Sequence, residues 1–249
     1  MSCDTHAMVV VHRAFTREFR LLGEIAAVTP RSDLDQIRRV VRHGRELLEA
    51  LHHHHESEDE LVWPRLRSAG VDSAVVEAME SQHAAIAAGM AALDAALTGW
   101  QSDPAAADQV TEAAARLHPV LTEHLIEEEN SVLPLVAHIL TEPQWAELGK
   151  RGMTSLPKHR ALVFLGHILE EADPTERANF LCDIPAPIRM LYRFLGAPGH
   201  ARETRALRRD LPRSDTGDQR SATADSTLPN TPSPGALAPA WDAKSPPAQ

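Results

Sequence analysis

Four stretches of this chain carry a histidine inside an otherwise apolar helical stripe: His12, His54, His83 and His124. Two of them add a glutamate one turn later on the same stripe, pairing His54 with Glu58 and His124 with Glu128. Burying an imidazole, and above all a carboxylate, is costly without a partner. Four helices that each bury such groups point to one shared partner at the centre, and a metal is the economical candidate. His-x-x-x-Glu offers a nitrogen and an oxygen to the same centre, and a carboxylate can bridge two metals. Two bridging glutamates with terminal histidines fit a di-iron site, with zinc and manganese left open by the mixed imidazole and carboxylate set.

The stripes that must position these groups step by three and four residues. They read Met8, His12, Phe15, Phe19, Leu22; then Ile37, Val40, Gly44, Leu47, Leu51, His54, Glu58, Leu61; then Val76, Met79, His83, Ile86, Met90, Leu93, Leu97. The fourth reads Val110, Ala114, Leu117, Leu121, His124, Glu128 and, after Ser131, Leu135. This is the period of helices, not of strands. The predicted helices span residues 4–28, 32–67, 72–97 and 103–140. Ser32 or Asp33 caps the second, Pro64 bends or ends its last turns, and Gly70 turns the chain. Gly99 closes the third, and the run Ser102, Asp103, Pro104 starts the fourth, with disturbance expected at Pro119 and Pro134. Short loops make neighbours antiparallel, giving an all-α, up-down-up-down four-helix bundle. At ~1.5 Å rise per residue the neighbouring histidines then fall within roughly 8 Å of a common level.

The 249 residues carry a net charge of −10, with 43% hydrophobic and 4% aromatic residues. The charge argues against general nucleic-acid binding, and the alanine- and leucine-rich, aromatic-poor composition favours helices over sheets. Cys3 and Cys182 cannot build a disulfide framework or a cysteine-based zinc site. With no signal peptide in view and no apolar run approaching the ~20 residues of a membrane span, a soluble cytoplasmic protein is expected. Shorter helices are expected from residue 141, the last an apolar helix over 185–195 ending at Gly196. The division expected is 1–140 for the bundle, 141–198 for a helical extension, and 199–249 for an arginine-rich segment and a disordered tail rich in proline, serine and alanine. The arginines of 189–213 are read first as a solvated helix face, with an acidic partner or the acidic body of the protein as the other readings.

The run His12-Arg13-Ala14-Phe15, the run His54-His55-Glu56-Ser57-Glu58-Asp59, the pair Gln82-His83, and His124-Leu125-Ile126-Glu127-Glu128-Glu129 with Leu133-Pro134 together resemble the hemerythrin-like (HHE cation-binding) family over residues 6–140. Ser155-Leu156-Pro157-Lys158 and the 185–195 helix are similar to the extension of actinobacterial-type members. The resemblance implies two non-haem iron ions inside a four-helix bundle, with His12, His54, Glu58, His83, His124 and Glu128 as ligands. Oxygen-carrying hemerythrins place two histidines four apart on the third helix, whereas Met79 stands four before His83 here. His55 is the candidate for the missing ligand, as the adjacent residue is in some non-carrier relatives.

That departure shifts the expectation from reversible oxygen carriage to reaction with, or sensing of, O2, peroxide or NO, in a redox, oxidative-stress or iron-homeostasis role. A catalase- or peroxidase-like activity is left open, and the partner expected is a small diatomic or peroxide ligand. Two other readings stand beside it. Glu49-Ala-Leu-His52 and Glu80-Ser-Gln-His83 spell the Glu-x-x-His of ferritin- and rubrerythrin-like di-iron bundles, and a helical interaction protein could hold a structural metal. His52 and His53 lie off the stripe and are expected at the surface. His43 is placed near an access route, too far along its helix to be a ligand, and His118 as packing. Glu127 and Glu129 are expected either behind the ligands or facing solvent. His138, His159, His167 and His200 show no spacing that argues for function.

Overall fold

In the computed structural model, which describes residues 3–154, 157–182 and 184–212, no strand occurs among the described residues. The chain runs through α1 (His6–Val28), α2 (Leu34–Leu61), the short α3 (Trp63–Ser68), α4 (Ser73–Ser102) and α5 (Ala107–Glu127). A π-helical turn (Glu128–Val132) joins α5 to α6 (Leu133–Ile139). Helices α1, α2, α4 and α5 form the bundle, each packed on two of the others. The ends follow the local chemistry. Asp33 caps α2 by accepting from the Gln36 amide at 2.9 Å, and Asp72 caps α4 by accepting from Ala74 at 3.0 Å. Gly70 adopts φ 81° in the turn between α3 and α4, a conformation glycine alone takes without cost. Gly23 lets α1 and α5 approach closely, since a Cβ there would lie 3.1 Å from that of Ala114.

Gly99 does not end α4, which continues to Ser102 and buries Trp100 in the core. As expected, the second helix ends near Pro64: α2 stops at Leu61, and Pro64 stands in the first turn of α3. At Pro134 the chain meets the clash between a proline ring and the carbonyl four residues back, here that of Asn130. The π turn before Pro134 widens the helix at that point, and it also advances the stripe by one residue. Val132, Leu133, Val136 and Leu140 are buried, while Ser131 is exposed and Leu135 only half-buried. Pro119 lies within α5 without a break.

Beyond the bundle lie α7 (Glu142–Thr154), α8 (Lys158–Ile168), α9 (Pro174–Cys182), α10 (Ala186–Leu191), a second π turn (Tyr192–Gly196) and α11 (Ala197–Leu207). The expected stop at Gly196 is instead a crossing point. A Cβ at Gly196 would sit 2.8 Å from the Leu162 carbonyl oxygen of α8, so the glycine serves close packing and the helix continues through Pro198. Helices α8 and α9 pack on α1, while α7 and α11 pack on α2. The tail expected from Ser214 onward lies, with Ser155 and Leu156, outside the described residues. Among the described residues, no helix is long and apolar enough to cross a membrane.

Two apolar clusters fill the bundle. The larger holds Phe15, Leu51, Ile86 and Leu121. The smaller holds Met8, Val62, Met79 and Val132. On every bundle helix the candidate histidines and glutamates fall between a residue of one cluster and a residue of the other. A polar layer is thus sealed between two apolar ones.

Candidate metal centre

The structure brings all seven sequence-selected side chains into that layer. The donor atoms of His55, His83 and His124 lie within 4.8 Å of one another, and so do those of His12, His54, Glu58 and Glu128. The two carboxylates link the groups. Glu58 places Oε1 3.2 Å from His54 Nε2 and Oε2 3.6 Å from His83 Nε2. Glu128 Oε2 lies 3.5 Å from His12 Nε2 and 3.9 Å from His124 Nε2. Each glutamate therefore faces one histidine of either group, the disposition of a bridging carboxylate. His55 stacks on His83 with ring centroids 4.1 Å apart, so the residue beside His54 occupies the layer as a full member. Met79, in the position of a carrier's second histidine, packs into the smaller apolar cluster.

Nearly every atom facing the centre lacks a hydrogen-bond partner. This holds for Nε2 of His12, His54, His55, His83 and His124, for both oxygens of Glu58 and for Oε2 of Glu128. Buried polar atoms are ordinarily paired, so this many converging orphans fit a cation as the shared partner. The electrostatics agree. Desolvation, then the neighbouring imidazoles, pushes the pKa of His54 and His55 well below the ordinary histidine value. Burial brings that of His124 down to about 3. Burial lowers His83 as well, against the opposing pull of Asp59. Burial and then the Glu128 charge raise Glu58 well above the usual carboxylate range, and burial raises Glu128. Neutral imidazoles with free Nε2 lone pairs, next to carboxylates seeking positive charge, suit iron, zinc or manganese.

A ring of polar groups behind the layer aims these lone pairs inward. His12 Nδ1 bonds Glu129 Oε1 at 2.9 Å, His83 Nδ1 bonds Asp59 Oδ1 at 2.7 Å, and His124 Nδ1 bonds Gln82 Oε1 at 2.8 Å. Gln82 in turn donates to Glu127 Oε2 at 2.6 Å, and Asp59 Oδ1 also accepts from Trp63 Nε1 at 2.7 Å. With Nδ1–H engaged, Nε2 is the free base, the arrangement by which outer groups fix a metal-binding tautomer. Sequence reasoning left Glu127 and Glu129 open and gave Asp59 and Gln82 no role beyond their place in the quoted motifs, because every bond they make to a site histidine crosses between helices. A surface pocket of about 360 Å³, lined by His12, Arg13, Arg17, Arg20 and Glu129 among others, reaches the layer from outside at His12.

The remaining histidines fall elsewhere. His52 is exposed, and His53 bonds Glu56 on the surface. Exposure of Glu49 and His52 and the ion pair of Glu80 with Arg67 remove the Glu-x-x-His reading. His138 bonds the Pro134 carbonyl, His118 lines a surface pocket, and the His159 side chain lies outside the described residues. His43 and His167 meet in a separate buried cluster with Glu18. The arginine-rich segment turns partly inward: Arg208 binds Glu18 and Glu170, and Arg209 pairs with Asp33 and Asp210, so the acidic body of the protein itself is their partner.

No curated protein and no solved structure matches the chain. The family model described as Hemerythrin HHE cation binding domain matches residues 3–136, a span that contains the whole polar layer and every group behind it. That match covers more than half of the sequence, and the chain belongs to the hemerythrin HHE cation-binding family.

Proposed function

We propose that this chain is a dinuclear non-haem iron protein that consumes a small oxidant, hydrogen peroxide before O2 or NO, and does not carry dioxygen reversibly. The observation that carries the reading is the convergence of five orphaned imidazole nitrogens and two carboxylates in two linked groups. His55, His83 and His124 would hold one iron, His12 and His54 the other, and Glu58 and Glu128 would bridge them. Such a pair supplies one-electron steps at adjacent ions, enough for the disproportionation of two peroxide molecules to dioxygen and water.

The chain's own residues restrict what can enter. Phe15, Leu51, Ile86 and Leu121 close one side of the layer and Met8, Met79 and Val132 the other, so the centre admits a molecule of a few atoms. Arg13, Arg17, Arg20, Glu129 and Glu171 line the outer pocket at His12, so a small polar oxidant meets hydrogen-bonding groups on its way to the layer. Replacement of a carrier's histidine by Met79, with His55 supplied from α2, supports turnover over carriage.

Metal analysis of the purified chain should find iron, close to two ions per chain, and stopped-flow mixing of the oxidised protein with peroxide should show its consumption. A stable oxygenated complex that releases O2 under vacuum, with no peroxide consumed, would defeat this reading. A spectrum indifferent to both oxidants would make the metal structural.

A further inference from the structure

A second buried cluster lies where the extension packs on the bundle. Glu18 of α1, His43 of α2 and His167 of α8 are 2–3% exposed, and their donor atoms lie within 4.8 Å of one another. His43 Nε2 is 3.0 Å from Glu18 Oε2, and His167 Nδ1 is 3.4 Å from Glu18 Oε1. Both ring nitrogens of His167 lack a hydrogen-bond partner, and the nearest carboxylate to Nε2, that of Glu203, is 4.0 Å away. We propose that Glu18, His43 and His167 form a second metal site, separate from the dinuclear centre, that takes a divalent transition ion of the zinc class.

Three features support it. Ligands at the usual 2.0–2.1 Å around a tetrahedral ion stand about 3.3 Å apart, close to the 3.0 Å between Glu18 Oε2 and His43 Nε2, and one donor atom from each of the three residues lies within 4.8 Å of the others. Glu18 is also held as a ligating carboxylate is held from behind. Arg17 donates to Oε1 at 2.9 Å and Arg208 at 2.7 Å, which fixes the group and leaves Oε2 on the His43 side. Finally, His167 is 2% exposed and neither of its ring nitrogens has a hydrogen-bond partner, so a buried imidazole is left for a ligand to satisfy. His43 lies eleven residues before His54 on one helix, about 16 Å at 1.5 Å per residue, so the sites share no ligand. Since its ligands come from α1, α2 and α8, the ion would clamp the extension onto the bundle.

The test is Zn2+ and Co2+ uptake by the full-length chain after metal removal, measured by equilibrium dialysis and metal analysis. His43→Gln and His167→Gln, which keep a polar side chain, are the comparison variants. Each should bind one equivalent less than the unaltered chain. A Glu58→Ala/His83→Ala/His124→Ala/Glu128→Ala variant, which removes both carboxylates and breaks the three-histidine group of the dinuclear centre, should still take up one Co2+ and show its d–d absorption band. Equal uptake by the unaltered chain and both glutamine variants would mean that a proton on His167 balances the cluster, and would overturn the site. So would absence of Co2+ binding in the fourfold-substituted chain. If the glutamine variants fail to fold, that Co2+ measurement decides alone.

Discussion

Asp59 offers the sharpest test of how the metal layer is held. Its Oδ1 accepts from His83 Nδ1 and from Trp63 Nε1, both at 2.7 Å, and His83 stacks directly on His55. One oxygen thus orients one ligand candidate, steadies a second and satisfies a buried indole. Outer groups of this kind are worth about 10- to 100-fold in metal affinity, or roughly 1.4–2.8 kcal/mol. Asp59 is 47% exposed, so water screens its charge and the lower half of that range applies to charge alone. Asp59→Asn keeps Oδ1 and both hydrogen bonds but loses the charge, and affinity should fall about tenfold with little loss of stability. Asp59→Ala frees the His83 ring and leaves the Trp63 indole unpaired, which costs about 1–3 kcal/mol of folding stability and approaches a hundredfold loss of affinity. Competition against a chromophoric chelator gives the affinities, and chemical unfolding of the metal-free proteins gives the stabilities. Two variants that bind metal as tightly as the unaltered chain would refute the idea that Nδ1 anchoring sets the site.

Three further outcomes are expected. Glu58→Ala or Glu128→Ala should each lose most of the bound metal, since each carboxylate faces both histidine groups; full iron retention in both would contradict the bridging assignment. Against the upward pull of burial, hydrogen bonds from His200 and Arg208 and then the Arg17 charge hold Glu170 down to about 2, so its contribution is complete above the unfolded value of ~4.3 and drains away as pH falls toward 2. Glu170→Gln should therefore flatten the acid limb of the stability profile in that window, and superimposable profiles would exclude the effect. Gly23→Ala should cost up to about 2 kcal/mol in urea unfolding, as overpacking against Ala114 outweighs the ~1 kcal/mol gain in helix propensity, and a stabilised variant would contradict the close approach of α1 and α5.

The bundle and its polar layer were legible because a histidine or glutamate set into an apolar stripe keeps the stripe's phase. His12, His54, Glu58, His83, His124 and Glu128 all obey that rule. His55 does not, and only its resemblance to non-carrier relatives brought it in. Past Glu128 the rule failed for a definite reason: the π turn inserts a residue, so Val132 and Val136 are buried where the period put Ser131 and Leu135. The roles of Gln82 and Asp59 were hidden for another reason: they bond histidines on other helices, which a single-helix stripe does not show. The cluster of Glu18, His43 and His167 was unreadable for a different reason. Its members are brought together by packing of the short α8 on α1, and nothing in the spacing of residues 18, 43 and 167 announces it.

The cross-helix bonds behind the layer also tie the bundle to the geometry of its donors. His12 on α1 is tied to the turn after α5, His83 on α4 to α2, and His124 on α5 to α4. Each bond engages Nδ1 and leaves Nε2 toward the centre, so the contacts that set the register of the helices also set the spacing of the donor atoms. A donor set spaced by helix packing chooses among ions by size and shape, which matters wherever the tightest-binding metal is not the intended one.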